Sequence, residues 1–299
     1  MPTTIILADY IGRLGNRLCL FIHVLAAAME HQFHVVNLTL LPHADWFEEL
    51  SRNSWCRYPA PASGWRLHRW TRGTRTMIEW LAHQQIRRGT AGWLGINTVA
   101  LGNGERFSMS NPEFLKICGQ YRWVILWGWL FRADSYLERH QEAIRSFLRL
   151  KKGLDPELED ALEVGRRENA WQIALHIRQG DFRTWEGGRH YIPPEVFAHH
   201  ARRICEANPT KKICFWICSD ESVDLGQFPP GTQTSKGQTL REDLRILTSC
   251  DFILGGISTL AHVAAFLGKG RIHNLNRLPE PSPNPRDWPE GLSSLTGQS

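Results

Sequence analysis

Apolar residues in the second half of this 299-residue chain fall in short runs of strand length, separated by longer amphipathic stretches. Trp171 to Ile177, Ile213 to Ile217, Phe252 to Leu254 and Arg271 to Leu275 are rich in β-branched or aromatic residues and bounded by Gly, Pro, Asn or charge. They predict buried strands. Between them Pro194 to Ala207, Leu240 to Ser249 and Leu260 to Leu267 carry the spacing of helices. Strands that alternate with helices predict a parallel sheet covered on both faces.

The first half begins the same way. Ile5 to Ala8 predicts a strand, Gly12 to Asn16 a Gly-rich turn, and Leu18 to His31 an apolar helix. Val35, Val36 and Leu38 begin a second strand, Val124 to Trp129 another, and a helix is expected from Ala133 to about Leu150. Residues 43 to 110 show no clear period, and there Trp46, Trp55, Trp65, Trp70, Trp80 and Trp93 interleave with many arginines. The favoured expectation is a helical subdomain with its tryptophans packed inward. Such a segment can also stack sugars on aromatic faces or lie on an anionic membrane surface.

The chain punctuates itself at Lys151 to Asp155 and again at Pro279, after which prolines recur with Ser and Gly. This predicts an N-terminal domain over 1–152, a second over 153–278, and an extended or disordered Pro/Ser-rich tail over 279–299. The strand–turn–helix order around Gly12 aims backbone N–H groups and a helix N-terminus at one place, where an anion can bind. Neither Gly-x-Gly-x-x-Gly nor a Walker A sequence occurs.

Composition narrows the class without naming it. A hydrophobic fraction of 42% with 22% charged residues is that of a soluble globular protein. The net charge of +5 implies no nucleic-acid binding, though it suits an anionic ligand. Met1 to Ala8 reads as a strand rather than a signal peptide. The apolar run Leu18 to Met29 is broken by His23 and falls short of the ~20 residues a bilayer requires. Seven cysteines, an odd number with no Cys-x-x-Cys pair, predict reduced structural thiols, no zinc site and a cytoplasmic protein. The Trp/Arg-rich segment leaves the inner membrane surface open as a location.

Candidate chemistry is concentrated where the strand at Trp171 ends, in Ala174-Leu175-His176-Ile177-Arg178-Gln179-Gly180-Asp181. Ligands of open α/β sheets bind at strand ends. Arginine's planar fork grips a diphosphate through parallel charge-assisted bonds. On the residues alone, a local Arg178–Asp181 salt bridge explains the pattern equally well.

The motif His-x-Arg-x-Gly-Asp after a strand resembles the donor-binding motif of the α-1,2-, α-1,6- and protein O-fucosyltransferases. Gly12-Arg13-Leu14-Gly15-Asn16-Arg17 resembles the Gly-Gly-Leu-Gly-Asn-Gln loop of the α-1,2 enzymes. Glu242-Asp243-Leu244, Ser249 to Ile253 and Ile257-Ser258-Thr259 resemble the C-terminal Asp-Leu and Asn-Ser-Thr segment, and Cys218-Ser219-Asp220 a Phe-Ser-Asp strand end. Order and spacing agree over residues 5 to 275. The chain departs from the pattern at Arg13, Arg17, Gln179 and Ile257.

The resemblance is strongest to the bacterial α-1,2-fucosyltransferases of glycosyltransferase family 11. It implies a GT-B fold, two Rossmann-like α/β domains facing a cleft, with the acceptor on the N-terminal side. It implies GDP-fucose as donor substrate, a glycan or glycolipid as acceptor, and no cofactor. The donor would be held by Gly15, Asn16, His176, Arg178, Asp220, Asp243, Ser258 and Thr259. Asp243, fifteen residues before the Ser-Thr pair, would read guanine. No Asp-x-Asp metal motif occurs, so Arg178 would stabilise the leaving diphosphate. Glu186 or Asp181 would take the acceptor proton, while His190 and Tyr191 would contact the acceptor. Asp181 has the alternative of orienting Arg178. Transfer from another donor such as GDP-mannose, or nucleotide-sugar binding without turnover, are the competing expectations.

Overall fold

The computed structural model of the protein describes residues 2–60, 71–88, 95–102, 104–153, 156–235, 237, 239–277 and 280–296. They form two compact units, 1–151 and 152–299.

In the first unit β1 (Thr4–Leu7) leads through α1 (Leu14–His31) to β2 (His34–Asn37). Helix α1 begins earlier than the glycine pattern predicts, so Gly15 and Asn16 occupy its first turn rather than a loop. Its residues from Leu18 to Ala28 are all buried, which accounts for an apolar helix too short to span a bilayer. After short 3-10 turns come β3 (Arg57–Tyr58), α2 (Thr71–Arg88), β4 (Ile96–Ala100), β5 (Phe107–Ser108), α3 (Pro112–Gln120), β6 (Trp123–Trp127), β7 (Phe131–Arg132) and α4 (Asp134–Phe147). The main sheet has the order β3-β2-β1-β6-β4, parallel except for β3.

The described part of 43–110 contains the helix α2, in line with the expected helical subdomain, and also the strand β4. Helix α2 is arginine-rich and carries Met77 and Trp80 on its exposed side, so its apolar stripe is too weak to stand out in the sequence. Trp80, 57% exposed, contradicts inward packing. Trp46 and Trp55 are half-buried. Trp65, Trp70 and Trp93 lie outside the described residues.

The second unit alternates as its sequence predicts: α5 (Pro156–Arg167), β8 (Trp171–Ile177), α6 (Pro194–Ala207), β9 (Ile213–Ser219), β10 (Gln233–Thr234), α7 (Leu240–Ser249), β11 (Phe252–Gly255), α8 (Thr259–Gly268), β12 (Arg271–Asn274) and α9 (Gly291–Thr296). Every pairing is parallel, in the order β10-β9-β8-β11-β12. One face buries Ile173, Leu175 and Ile177 of β8 against Phe197, Ala201 and Ile204 of α6. Helix α7 opens on a reciprocal cap: Thr239 Oγ1 accepts from Glu242 N, and Glu242 Oε2 accepts from Thr239 N at 2.8 Å.

Among the described residues, 280–296 pack onto the sheet, so the disordered form of the expected extended or disordered tail does not hold for them. Trp288 is 1% exposed within the same core and meets Phe252 edge-on at 6.2 Å. Ile272 N donates to Pro289 O at 2.8 Å. The prolines keep the stretch before α9 largely irregular, but Trp288 and Leu295 bury enough apolar surface to fix the segment.

Candidate functional site

The chain order of the second sheet places a reversal beside β8. From β8 the chain moves outward through β9 and β10, then crosses back to lay β11 and β12 on the other side. At such a switch point the loops leaving the carboxyl ends diverge, opening a crevice. The ends of β8 and β11 meet there, with Gly255 paired to His176.

Arg178, just past β8, is held from two sides. Its Nε and Nη2 donate to Asp181 Oδ1 at 3.0 and 2.7 Å, and Nε lies 3.2 Å from Asp220 Oδ2. Asp220, at the tip of β9, also accepts from the Gln179 backbone N–H at 2.8 Å through Oδ1. The guanidinium stands 5.6 Å over the Phe182 ring. Two carboxylates and one ring thus fix the fork, and Asp181 is engaged with it. Gln179 extends the network, donating to Ser219 Oγ at 3.2 Å and accepting from Arg183 Nη2 at 3.0 Å.

His176 is buried, and desolvation pulls its pKa down to about 4 against a smaller opposing pull from Asp220. His262, in the first turn of α8, is brought down to about 4 by burial, with Arg277 and His176 acting in the same direction. Both rings are neutral near pH 7. Each has an Nδ1 without a hydrogen-bond partner among the described residues. Ser258 is the N-cap of α8, yet its side chain makes no capping bond, and Thr259 is the first helical residue. The site therefore joins an arginine, two neutral imidazoles, two hydroxyls and a helix N-terminus, groups suited to phosphate oxygens.

The loop from Gly180 to Tyr191 carries the remaining groups. Glu186 (φ +52), Gly187 (φ +73) and Gly188 (φ +78) are successive left-handed residues. A Cβ on Gly188 would stand 2.8 Å from Arg183 O. Glu186 is exposed, ion-paired with Arg189, and 3.0 Å from His190 Nε2 through Oε2. The hydrogen bond with His190 is the main cause holding its carboxyl below the usual range. Tyr191 lies under Arg183 at 4.9 Å, and Trp185 stacks at 4.8 Å on His190. Asn276, past β12, links this loop to the start of α8: its Nδ2 donates to His190 O at 3.3 Å and its Oδ1 accepts from Ile257 N at 2.9 Å.

Asp243 stands in the first turn of α7, and the Cys218 Sγ–H at the end of β9 donates to its carbonyl at 3.8 Å. Burial raises its carboxyl to about 7, with Glu242 and Asp220 adding to the rise. Gly15 and Asn16 belong to the first unit. There Asp9, just beyond β1, is raised to about 6 by burial although Gly128 N donates to it at 3.2 Å.

His262, Asn276 and Asp9 are absent from the sequence expectations. His262 sits three residues after Thr259, one turn along the same helix, which is a readable signal. Asn276 and Asp9 follow strands as ordinary loop residues do, and only the fold singles them out. Among the described residues, no group of three His, Cys, Asp or Glu side chains is arranged to hold a metal ion, and no helix is long and apolar enough to cross a membrane.

No protein-family model matches the chain, and no curated protein matches it in sequence. Solved structures do. A mutant of Arabidopsis thaliana FUT1, in complex with GDP, matches with a TM-score of 0.55 at 12% identity, over 94% of this chain and 73% of that one. That match decides the architecture. The chain has the GT-B type of α/β fold. Fucosyltransferase NodZ from Bradyrhizobium (TM-score 0.47, 13% identity, 95% and 97% of the two chains) and POFUT1 in complex with GDP-fucose (0.48, 11%, 90% and 95%) are also similar.

Proposed function

We propose that the protein transfers fucose from GDP-fucose to a glycan hydroxyl by an inverting mechanism that uses no metal. The observation that carries this is Arg178, fixed by Asp181 and Asp220 at the sheet's switch point. A cation held in place before the reaction stabilises charge as it develops on a leaving diphosphate, without reorganising. The GDP in the plant FUT1 structure supports a guanosine diphosphate as the anion.

In the proposed reaction the acceptor hydroxyl attacks the anomeric carbon of fucose in line with the departing β-phosphate oxygen. The C1–O bond to GDP breaks as the C1–O bond to the acceptor forms, through an oxocarbenium-like state. Arg178, the Ser258 and Thr259 hydroxyls and the α8 N-terminus receive the negative charge on GDP. His176 and His262, being neutral, can donate hydrogen bonds without adding repulsion toward Arg178. Asp181 orients Arg178. Glu186, exposed and ionised, takes the acceptor proton, and its left-handed backbone is the kind of local strain that collects at functional sites. His190 and Tyr191 border that carboxylate on the acceptor side. Asp243, once ionised, accepts from N1–H and the exocyclic amine of guanine.

The linkage proposed is α-1,2, on the motifs shared with the bacterial family 11 enzymes. The test is turnover of GDP-fucose with a panel of galactosyl glycans in EDTA, read as GDP released and as the linkage of the product. Release of GDP with an inverted α-1,2 product supports the proposal. Turnover of GDP-mannose but not GDP-fucose would replace the donor, and binding without turnover would make the chain a nucleotide-sugar-binding protein.

A further inference from the structure

The first unit contains a cavity of about 590 Å³, lined by none of the residues placed in the donor site. Register decides which side chains share its wall: Thr4 pairs with both His34 and Trp123, and Ile6 with both Val36 and Ile125. Successive strand residues face opposite sides. Ile5, Leu7 and Val35 are fully buried on the other face, while Thr4, Ile6 and His34 stay partly exposed on this one. Parallel sheets ordinarily bury both faces. Here α2 covers this one: Ile78 packs against Val36 and Leu38, and Leu81, with the largely exposed Met77 at the rim, lines a remaining gap that the side chains do not fill.

The space has a direction. It runs from Pro2 and His34 at the amino ends of the strands to Leu38 beyond the carboxyl end of β2. That is a run of four strand residues, or about 13 Å at ~3.3 Å each. Its volume falls within the roughly 300–1,000 Å³ of small-molecule sites. The lining contains no carboxylate; its ionisable members are His34, Arg57 and Arg122. Among the described residues neither arginine forms an ion pair, and Arg122 lies 5.3 Å over the exposed Trp123 ring at the amino-edge mouth.

An elongated apolar chamber with Arg122 and His34 at its amino-edge mouth and no carboxylate in its lining is complementary to one ligand shape. We propose that this cavity binds a single-chain anionic amphiphile, the alkyl chain lying between the sheet and α2 and the carboxylate meeting Arg122 and His34. The proposal is independent of the transferase reading, because it uses neither the donor site nor its residues.

The probe is sodium dodecanoate below its micellar concentration, titrated into the full-length protein by calorimetry and by the fluorescence of the lining tryptophans Trp55 and Trp123. Saturable one-to-one binding is expected. Arg122→Glu should weaken dodecanoate about tenfold, the loss of one charge-assisted contact, and leave the neutral dodecanol unchanged. Leu81→Trp, which fills the chamber from α2, should abolish binding of both. Thermal unfolding monitors each variant, and if Leu81→Trp fails to fold, the surface variant Arg122→Glu still decides. Absence of saturable binding overturns the proposal, as does dodecanoate binding that is indifferent to Arg122→Glu. Sedimentation with phosphatidylglycerol vesicles that dodecanoate does not compete away would also overturn it, assigning the patch to a membrane surface.

Discussion

A Cβ placed on Gly180 would stand 2.9 Å from Oδ2 of Asp220. The same carboxylate reaches Arg178 and the Gln179 N–H, so the glycine is required by the approach of the β9 tip that fixes the arginine. Gly180→Ala should displace Asp220 and loosen Arg178 while leaving the fold intact. GDP affinity is expected to fall about tenfold, the size of one charge-assisted hydrogen bond. Calorimetry measures it, with circular dichroism as the control.

Asp243 makes nucleotide binding depend on pH in a defined direction. Burial raises its pKa to about 7, whereas guanine recognition requires the carboxylate. Protons therefore compete with GDP, and affinity should drop about tenfold per pH unit below 7 and level off above it. The stability effect has the opposite sign. A raised carboxyl pKa stabilises the fold fully below the unfolded value of 3.8, and that contribution is lost as pH rises through about 7. Asp243→Asn should thus raise Tm at pH 8 while erasing both the pH dependence of binding and the preference for GDP over UDP.

Asp9 predicts a stability effect in the other unit. Its carboxyl is raised from 3.8 to about 6 by burial, so its stabilising contribution is present below pH 3.8 and is lost as pH rises through about 6. Asp9→Asn keeps an oxygen acceptor for Gly128 N and removes the charge. The variant should melt higher than the parent at pH 7.5 and match it near pH 4, in scanning calorimetry.

Trp288 anchors the C-terminal segment to the sheet core. Trp288→Ala should cost ~3–5 kcal/mol, the usual range for truncating a buried aromatic. Denaturant titration of the purified variant reads this directly. Removing a tail that packs on nothing would change stability by none of it.

How much of this was legible in the sequence differs between the two units. In the second, β8, α6 and α7 fall on the residues where apolar runs and helical spacing place them, because each element buries one continuous face. In the first, a helical subdomain was expected over 43 to 110 but α2 could not be placed within it, because its exposed Trp80 and Met77 blur the apolar stripe on which periodicity depends. Trp288 was obscured by prolines, which predict irregular backbone but say nothing about burial. The Arg178 cluster was legible as a strand-end motif, although its second partner, Asp220, lies 42 residues away and meets it only through β8–β9 pairing. His262 was readable only through its spacing of one helical turn from Thr259, while Asn276 comes to the site after β12 and no local pattern marks it.

The measurement that bears most directly on the account is titration of GDP into the protein in EDTA, with Arg178→Ala and UDP as controls. The account predicts metal-free GDP binding, weaker UDP binding, and a loss of roughly a hundredfold or more in transfer rate for Arg178→Ala, comparable to removing one preorganised donor. Equal binding of UDP and GDP, or an Arg178→Ala variant with unchanged GDP affinity and transfer rate, would contradict it.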